Sequence, residues 1–372
     1  MLDSRDMELC PGPSRARNRR MPLAIDLFSG CGGLTTGLKQ AGFFVLAAVD
    51  NHRLSVDTYK ANHSGVRVWR RNITQFSATQ MKHELCLRPG QLDLLAGCPP
   101  CQAFSSIRTL NGKRTLRDPD KDLLFQFLRF IKAFRPKAIM IENVPGLAAD
   151  KRVVRFCAAL ARLDYQSEVR VLDAAQYGVP QRRRRMILLA SRATALRFGR
   201  RSRIRSTVRD FIGGLPKAGR SGDPLHDFPE KRTKEMKKLI KMIPRNGGSR
   251  TDLPDRFRLP CHRKCNGFKD VYGRMSWDSV APTITTGCFN PSKGRFLHPR
   301  WNRAITMREA SLLQGFPKRY RFPKPDSKIA VAAMIGNALP PPFIAAHARK
   351  IRSVLSAHLN RSRSARSNRA FR

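Results

Sequence analysis

Six short apolar runs, each stopping abruptly at a glycine, a proline or an acid or breaking off in polar sequence, constrain this chain more than any other feature. They cover residues 22–28, 43–49, 92–96, 138–141, 169–172 and 186–190. Each is too short for a core helix and too uniformly apolar for a sheet with one wet face, so each reads as a strand buried on both sides. Helix-period stretches at 34–40 and 123–134 fall between them. Strands alternating with helices predict an α/β fold, a parallel sheet with helices on both faces. Ligands of such sheets gather at the carboxyl ends of the strands. The residues that end the runs are therefore the ones to read for chemistry.

The pattern changes after about residue 192. From there to about residue 301 the chain is rich in Gly, Pro, Lys and Arg and poor in apolar runs, which predicts a smaller, loop-rich second domain. Helical patterning returns at 306–314 and 343–355. The expected organisation is a disordered basic leader over 1–20, the main domain over 21–192 and the loop-rich domain over 193–301. A segment over 302–358 then returns to the main domain, and a disordered Arg/Ser tail follows over 359–372. There is no internal repeat.

Charge narrows the partners. The chain has 72 Lys and Arg against 27 Asp and Glu, a net charge of +45. A surface this positive needs a polyanion, with nucleic acid ahead of an acidic membrane surface. The 41% hydrophobic content allows a sizeable core and excludes a wholly disordered chain. No run approaches the roughly 20 apolar residues needed to cross a bilayer. The Arg-rich N-terminus has no apolar signal core. The 9 scattered cysteines argue for a reducing compartment rather than a disulfide framework.

The first run ends in Asp26-Leu27-Phe28-Ser29-Gly30-Cys31-Gly32-Gly33-Leu34. Glycines at a strand end let a ligand approach the backbone, and the helix that follows offers free N–H groups to an anionic group. A simple tight turn has the same composition, and the spacing is not the dinucleotide pattern. Asp50 ends the second run, where an acid can accept both hydroxyls of a ribose. The third run ends in Gly97-Cys98-Pro99-Pro100-Cys101-Gln102. The two prolines fix the backbone immediately before a cysteine and hold its thiol at the lip of a strand. The residues that follow, to about Lys121, read as a long loop. Cys98 and Cys101 also form C-x-x-C, the spacing of a redox pair or half a metal site. The intervening prolines fit a redox turn poorly, and no second C-x-x-C occurs, so no metal is expected.

Taken in order, these segments resemble the motifs of cytosine-5 DNA methyltransferases. The glycine turn is similar to their cofactor turn and 97–105 to their catalytic segment. Glu142-Asn143-Val144 resembles the ENV motif, and Gln181-Arg182-Arg183-Arg184-Arg185 resembles Q-x-R-x-R. Arg308-Glu309-Ala310 with Leu313-Gln314-Gly315-Phe316-Pro317, and then Gly336-Asn337-Ala338-Leu339-Pro340-Pro341, resemble the C-terminal motifs. The likeness covers about residues 23 to 355. It implies a Rossmann-like, S-adenosylmethionine-dependent methyltransferase sheet with helices on both faces, a catalytic domain over 21–192 and a target-recognition domain over 193–301.

The resemblance also implies roles. Carbon 5 of cytosine is a poor nucleophile, and a thiolate added at carbon 6 makes it an enamine-like one. Cys101 is the expected nucleophile, and Glu142 the expected proton donor at ring nitrogen 3. Arg183 matches the arginine at the cytosine carbonyl oxygen, and Arg185 supports Glu142 or the loop. If this segment is a strand, Arg183 and Arg185 share a face. For S-adenosylmethionine, Asp26, Ser29, Gly30, Gly32, Gly33 and Leu34 form the turn near the methionine part, with Phe28 by the adenine and sulfonium. Asp50 holds the ribose, Asn72 and Ile73 lie by the adenine, and Pro100, Leu123 and Asn337 complete the pocket. A helix cap is an alternative role for Asn337. The family usually carries Asp at position 72 and Glu at position 50. Asn72 offers the same acceptor oxygen without the charge, and Asp50 reaches less far.

The implied substrate is duplex DNA with the target cytosine rotated out of the stack. Ser105 and Arg108, with Arg117, belong to the loop expected to close on it, and Gln181 and Thr283 are expected to meet DNA. Most other arginines and lysines are expected on phosphates, which position but do not specify. Transfer-RNA methylation on the same fold and non-catalytic nucleic-acid binding are the competing readings. The likeness to bacterial modification enzymes implies a cytoplasmic, DNA-associated monomer that protects sites against a cognate restriction endonuclease.

Overall fold

The computed structural model describes residues 21–100, 122–192, 195–258, 270–323 and 327–370. Its centre is a seven-stranded sheet of β1 (Leu23–Leu27), β2 (Phe44–Asp50), β3 (Arg67–Arg70), β4 (Leu94–Gly97), β5 (Ala138–Asn143), β6 (Gln166–Asp173) and β7 (Arg184–Ser191). Their order across the sheet is β3-β2-β1-β4-β5-β7-β6. Neighbours from β3 to β5 run parallel, whereas β7 runs antiparallel to β5. The sheet is therefore mixed, not wholly parallel. Residues 174–183 separate β6 from β7, fewer than the dozen or more that a parallel crossover needs.

The sheet has two chemically different faces because side chains alternate along a strand. Ile25, Leu27, Leu95, Ile139, Ile141, Met186 and Leu188 face one way. Against them pack α3 (Ala78–Glu84), α4 (Leu123–Phe134) and α5 (Lys151–Ala161), through Met81, Phe127, Phe130 and Phe156. Asp26 faces the other way, toward α1 (Gly33–Gln40) and α2 (Arg53–Asn62), where Thr35 meets it and Tyr59 meets Thr35. β5 is buried at all six positions, as expected of a strand covered on both faces.

The remaining helices are α6 (Val208–Ile212), α7 (Lys234–Met242), α8 (Met307–Leu313), α9 (Lys328–Asn337) and α10 (Pro341–Ala370). Helix α10 continues over the Arg/Ser stretch for which composition predicted no order. From Phe343 on it contains no glycine or proline to stop it, and arginine is a good helix former. By length and composition Lys328–Ala357 could cross a bilayer, more than the apolar runs alone suggested, but most of it is buried inside the fold.

The chain divides into two compact units. The first takes the described residues of Met1–Leu172, Arg184–Arg200 and Ile344–Arg372. The second takes those of Asp173–Arg183 and Arg201–Phe343, extending past the loop-rich stretch on both sides. A small core of Leu239, Ile240, Ile243, Leu253, Tyr272 and Leu297 lies in the second unit. Beside it Arg274 is wholly buried, donating to the carbonyls of Ile240, Ile243, His298 and Trp301 and to Asn302 Oδ1.

Candidate active site

In the first unit, the glycine turn leaves the carboxyl end of β1 between those of β2 and β4, and β5 ends beside β4. Phe28 adopts φ 59 and Gly30 φ 53, so the chain turns sharply out of β1. Left-handed backbone at a bulky aromatic is an outlier and marks a site held in place by its surroundings. A Cβ at Gly30 would meet nothing within 4 Å, so the space beside the turn is open. Gly32 caps α1 with φ 97, Gly33 begins the helix and Leu34 is buried. Asp50 closes the turn from β2: Oδ2 accepts the Gly30 N–H at 2.8 Å and Oδ1 the His52 N–H at 2.8 Å.

Asp26 is wholly buried. Its Oδ2 accepts from Thr35 Oγ1 at 2.7 Å, and Thr35 in turn meets Tyr59 Oη at 2.7 Å. Its Oδ1 has no partner, and neither has the buried Ser29 Oγ in the same turn. Burial, opposed by the Thr35 hydrogen bond and reinforced by nearby Asp50, pushes the Asp26 carboxyl up to about 7. Two orphaned buried oxygens beside an open backbone turn are what a ligand with donor groups requires. The residues present thus fit the cofactor that the sequence resemblance implies. Asn72 is exposed, and its Oδ1 accepts from Thr74 N and Oγ1 in a local turn. Ile73 is buried in the core and Leu123 opens α4 behind its cap, Asp122.

The acid of β5 lies on the same sheet face as Asp26. Glu142 is 7% exposed, and its Oε1 pairs with Arg185 Nε at 2.9 Å. Asn143 donates from Nδ2 to the Pro99 carbonyl at 2.8 Å, and its Oδ1 accepts the Val144 N–H. The segment ahead of Cys101 is thereby tied to β5. Pro100 is exposed at its end. Cys101, Ser105, Arg108 and Arg117 lie outside the described residues, as do Cys261, His262 and Cys265. Among the described residues, no group of three or more His, Cys, Asp and Glu could hold a metal ion.

In the second unit, other sequence-picked residues form a buried clasp. Gln181 was expected at DNA, but it is wholly buried. Its Nε2 donates to Leu313 O at 3.1 Å and to Gln314 Oε1 at 2.7 Å, and its Oε1 accepts the Ile284 N–H at 2.8 Å. Both ends of the amide are used, so Gln181 holds the motif backbone together. Arg183 is 2% exposed and donates to Ile284 O at 3.0 Å and Gly336 O at 2.8 Å. Thr283 Oγ1 donates to Arg182 O at 2.6 Å. Asn337 is exposed at the end of α9.

Motif reading did not find Thr35, Tyr59 or the electrostatic coupling of Cys98 to Glu142. None of these has a local signal, because each depends on which strand or helix lies alongside.

The chain matches the model of the C-5 cytosine-specific DNA methylase family over residues 23–353. Type II methylase M.HgiDII of Herpetosiphon aurantiacus is 36% identical over 332 residues, covering 85% of this chain and 91% of that protein. Type II methyltransferase M1.HphI of Haemophilus parahaemolyticus is 32% identical, covering 85% and 83%. Among solved structures, the methyltransferase EhMeth of Entamoeba histolytica aligns with a TM-score of 0.61 at 16% identity, covering 90% of this chain and 99% of that one. DNMT2 of Spodoptera frugiperda aligns with a TM-score of 0.58 at 20% identity, covering 87% and 97%. At these identities the structures speak for the fold.

Proposed function

The chain belongs to the C-5 cytosine-specific DNA methylase family, and from that premise we propose that it methylates carbon 5 of a cytosine in a specific duplex sequence, with S-adenosylmethionine as donor. The observation that carries this reading is the carboxyl end of the sheet. There a buried carboxyl group with one orphaned oxygen and an open glycine turn stand beside a Glu–Arg pair on the same face. When bound, S-adenosylmethionine supplies an electrophilic methyl group. Asp26 Oδ1 and Ser29 Oγ would accept from its donor groups, Asp50 would take the ribose hydroxyls, Phe28 would line the turn, and Ile73, Pro100 and Leu123 would complete the first unit's part of the site; Asn337 is proposed as a further contact to the cofactor.

The target base leaves the stack, at a cost of a few kcal/mol. The Cys101 thiolate adds to carbon 6, and Glu142 places a proton at ring nitrogen 3 as charge develops there. Methyl transfer to carbon 5 would release the donor as S-adenosylhomocysteine; carbon 5 then loses its own proton to solvent, the Cys101 thiolate leaves from carbon 6, and ring nitrogen 3 returns its proton to Glu142. Arg185 holds the Glu142 carboxyl in place. Arg183 braces the backbone of Ile284 and Gly336 and meets the carbonyl oxygen of the base. Thr283 touches the target-strand backbone, and Ser105 and Arg108 touch the extruded nucleotide. The Type II names of the relatives support a role as the modification enzyme of a restriction-modification system; a cytoplasmic monomer acting beside a cognate endonuclease is part of the same proposal.

The test is transfer of labelled methyl from S-adenosylmethionine to unmethylated duplex DNA, comparing the native chain with Cys101→Ala. Label in 5-methylcytosine from the native chain alone is the expected result. Label in transfer RNA but not in DNA, or equal label from both proteins, overturns it.

A further inference from the structure

We propose that Cys98 is a positioning residue for Glu142: its thiol and the Arg185 guanidinium grip the carboxyl group from opposite strands and govern when it holds a proton. This rests on the reading of Glu142 as the proton donor to the base.

The placement follows from strand register. β4 and β5 run parallel, with Gly97 opposite Ile141, so one residue further on Cys98 lies beside Glu142. Alternation puts Gly97 on the α4 face, where a Cβ would fall 2.7 Å from Phe127 Cε2. Cys98 therefore turns to the other face, with Asp26 and Glu142. On the far side of β5, β7 runs antiparallel with Ile187 opposite Glu142, which sets Arg185 on that same face. Three neighbouring strand ends thus bring a thiol, a carboxylate and a guanidinium together.

The backbone around Cys98 is fixed from both sides. Its N–H donates to Leu27 O at 3.3 Å, and the next residue, Pro99, is tied by its carbonyl to Asn143. A Cβ at Gly97 would lie 2.4 Å from Leu27 O, so β4 approaches β1 too closely to shift. The Cα of Cys98, from which the thiol projects, therefore cannot shift without moving a strand. The charged and titratable groups acting on it among the described residues are Glu142, Asp26 and Arg185. Burial, then the charges of Glu142 and Asp26, hold the thiol well above its usual range, so it stays protonated and donates its S–H to the Glu142 carboxylate. Cys98 is thus a proton-bearing donor. A nucleophile needs the opposite, a thiolate.

A donor to a carboxylate favours the ionised form. Cys98 and Arg185 therefore both hold Glu142 ionised until the base arrives, and the proton needed at ring nitrogen 3 is taken up only when the site fills. Removing the thiol raises the carboxyl pKa, so the alkaline limb of methyl transfer moves up. The coupling is reciprocal: removing the carboxylate lowers the thiol pKa.

The experiment has two arms. In the first, kcat/KM for methyl transfer is followed against pH for the native enzyme, Cys98→Ala and Cys98→Ser. The alkaline limb of Cys98→Ala should lie about one pH unit higher, the size of one lost hydrogen bond to a charged group. In Cys98→Ser the hydroxyl donates from the same place and should return the limb toward the native position. In the second arm, alkylation of Cys98 by iodoacetamide is followed by peptide mass spectrometry in the native protein and Glu142→Gln. The alkylation limb should fall by a similar amount in the variant, whether or not the protein turns over. Superposable limbs for native and Cys98→Ala overturn the proposal, as does a Cys98 alkylation profile indifferent to Glu142→Gln. If Glu142→Gln methylates DNA at the native rate, the reading of Glu142 as proton donor fails instead.

Discussion

Asp26 carries the cost of a buried carboxyl group. A carboxyl whose folded pKa is about 7, against an ordinary value of 3.8, binds more protons folded than unfolded between those values. Stability contributed by the protonated form is therefore full below about pH 4, declines as pH rises through 7, and stays low above it. About three pH units correspond to about 4 kcal/mol as an upper bound. Asp26→Asn should accordingly stabilise the ligand-free protein in urea unfolding at pH 8, with the gain shrinking toward pH 4. The same substitution should weaken S-adenosylmethionine binding in calorimetry. A pH-independent effect on stability would contradict the burial argument. Arg185 poses the converse case. Arg185→Met leaves Glu142 buried beside the Cys98 thiol without its cation, and an unpaired buried charge is costly. Methyl transfer should fall by roughly 10²-fold or more, read as kcat in a single-turnover assay with cofactor affinity little changed. At this scale the residues that end strands were legible because chemistry sits at strand ends: Asp26, Asp50, Cys98 and Glu142 all fall there. The partners of those residues were not legible. Thr35 finds Asp26 across a helix–sheet contact and Tyr59 finds Thr35, and nothing in Gln181 announces that its amide faces inward.

Among the elements, the apolar runs foretold β1, β2, β4, β5 and β7 closely, because strands buried on both faces have no reason to be anything but apolar. β3 was missed: Arg67-Val68-Trp69-Arg70 is a short, half-buried edge strand, exposed at Arg70, with no such run. Helix α5 was missed as well, since its apolar stripe of Val153, Phe156 and Leu160 is diluted by lysine and arginine. The antiparallel course of β7 was not legible, because a hydrophobic run has no direction. β4 carries the clearest element-level prediction. Gly97→Ala would put a Cβ 2.4 Å from Leu27 O and 2.7 Å from Phe127 Cε2. Backbone cannot yield as a side chain can, so β1 and β4 must separate just where the glycine turn begins. A loss of about 1–3 kcal/mol or more in chemical unfolding is expected, together with weaker cofactor binding. An unchanged midpoint would show that the strands have slack the geometry denies.

For the molecule as a whole, a net charge of +45 makes association with DNA an ion-exchange process. Each phosphate neutralised by Lys or Arg releases counterions, so log Kd should rise linearly with log salt. A fluorescence titration between 50 and 200 mM salt should lose on the order of 10³-fold or more in affinity, on target and random duplexes alike. A flat response would remove phosphate contact as the purpose of the charge. The division of the chain has a further consequence, for the order in which the protein can be finished. The first unit is closed by its last contribution: Arg352, on α10, donates to the carbonyl of Ala41 across 311 residues, and His347 receives the N–H of Gly199. Between the sheet and that helix the ribosome must deliver most of the second unit, which takes on the order of ten to thirty seconds at usual elongation rates. Throughout that interval the first unit lacks its last helix, so its longest exposure to chaperones and proteases comes during synthesis.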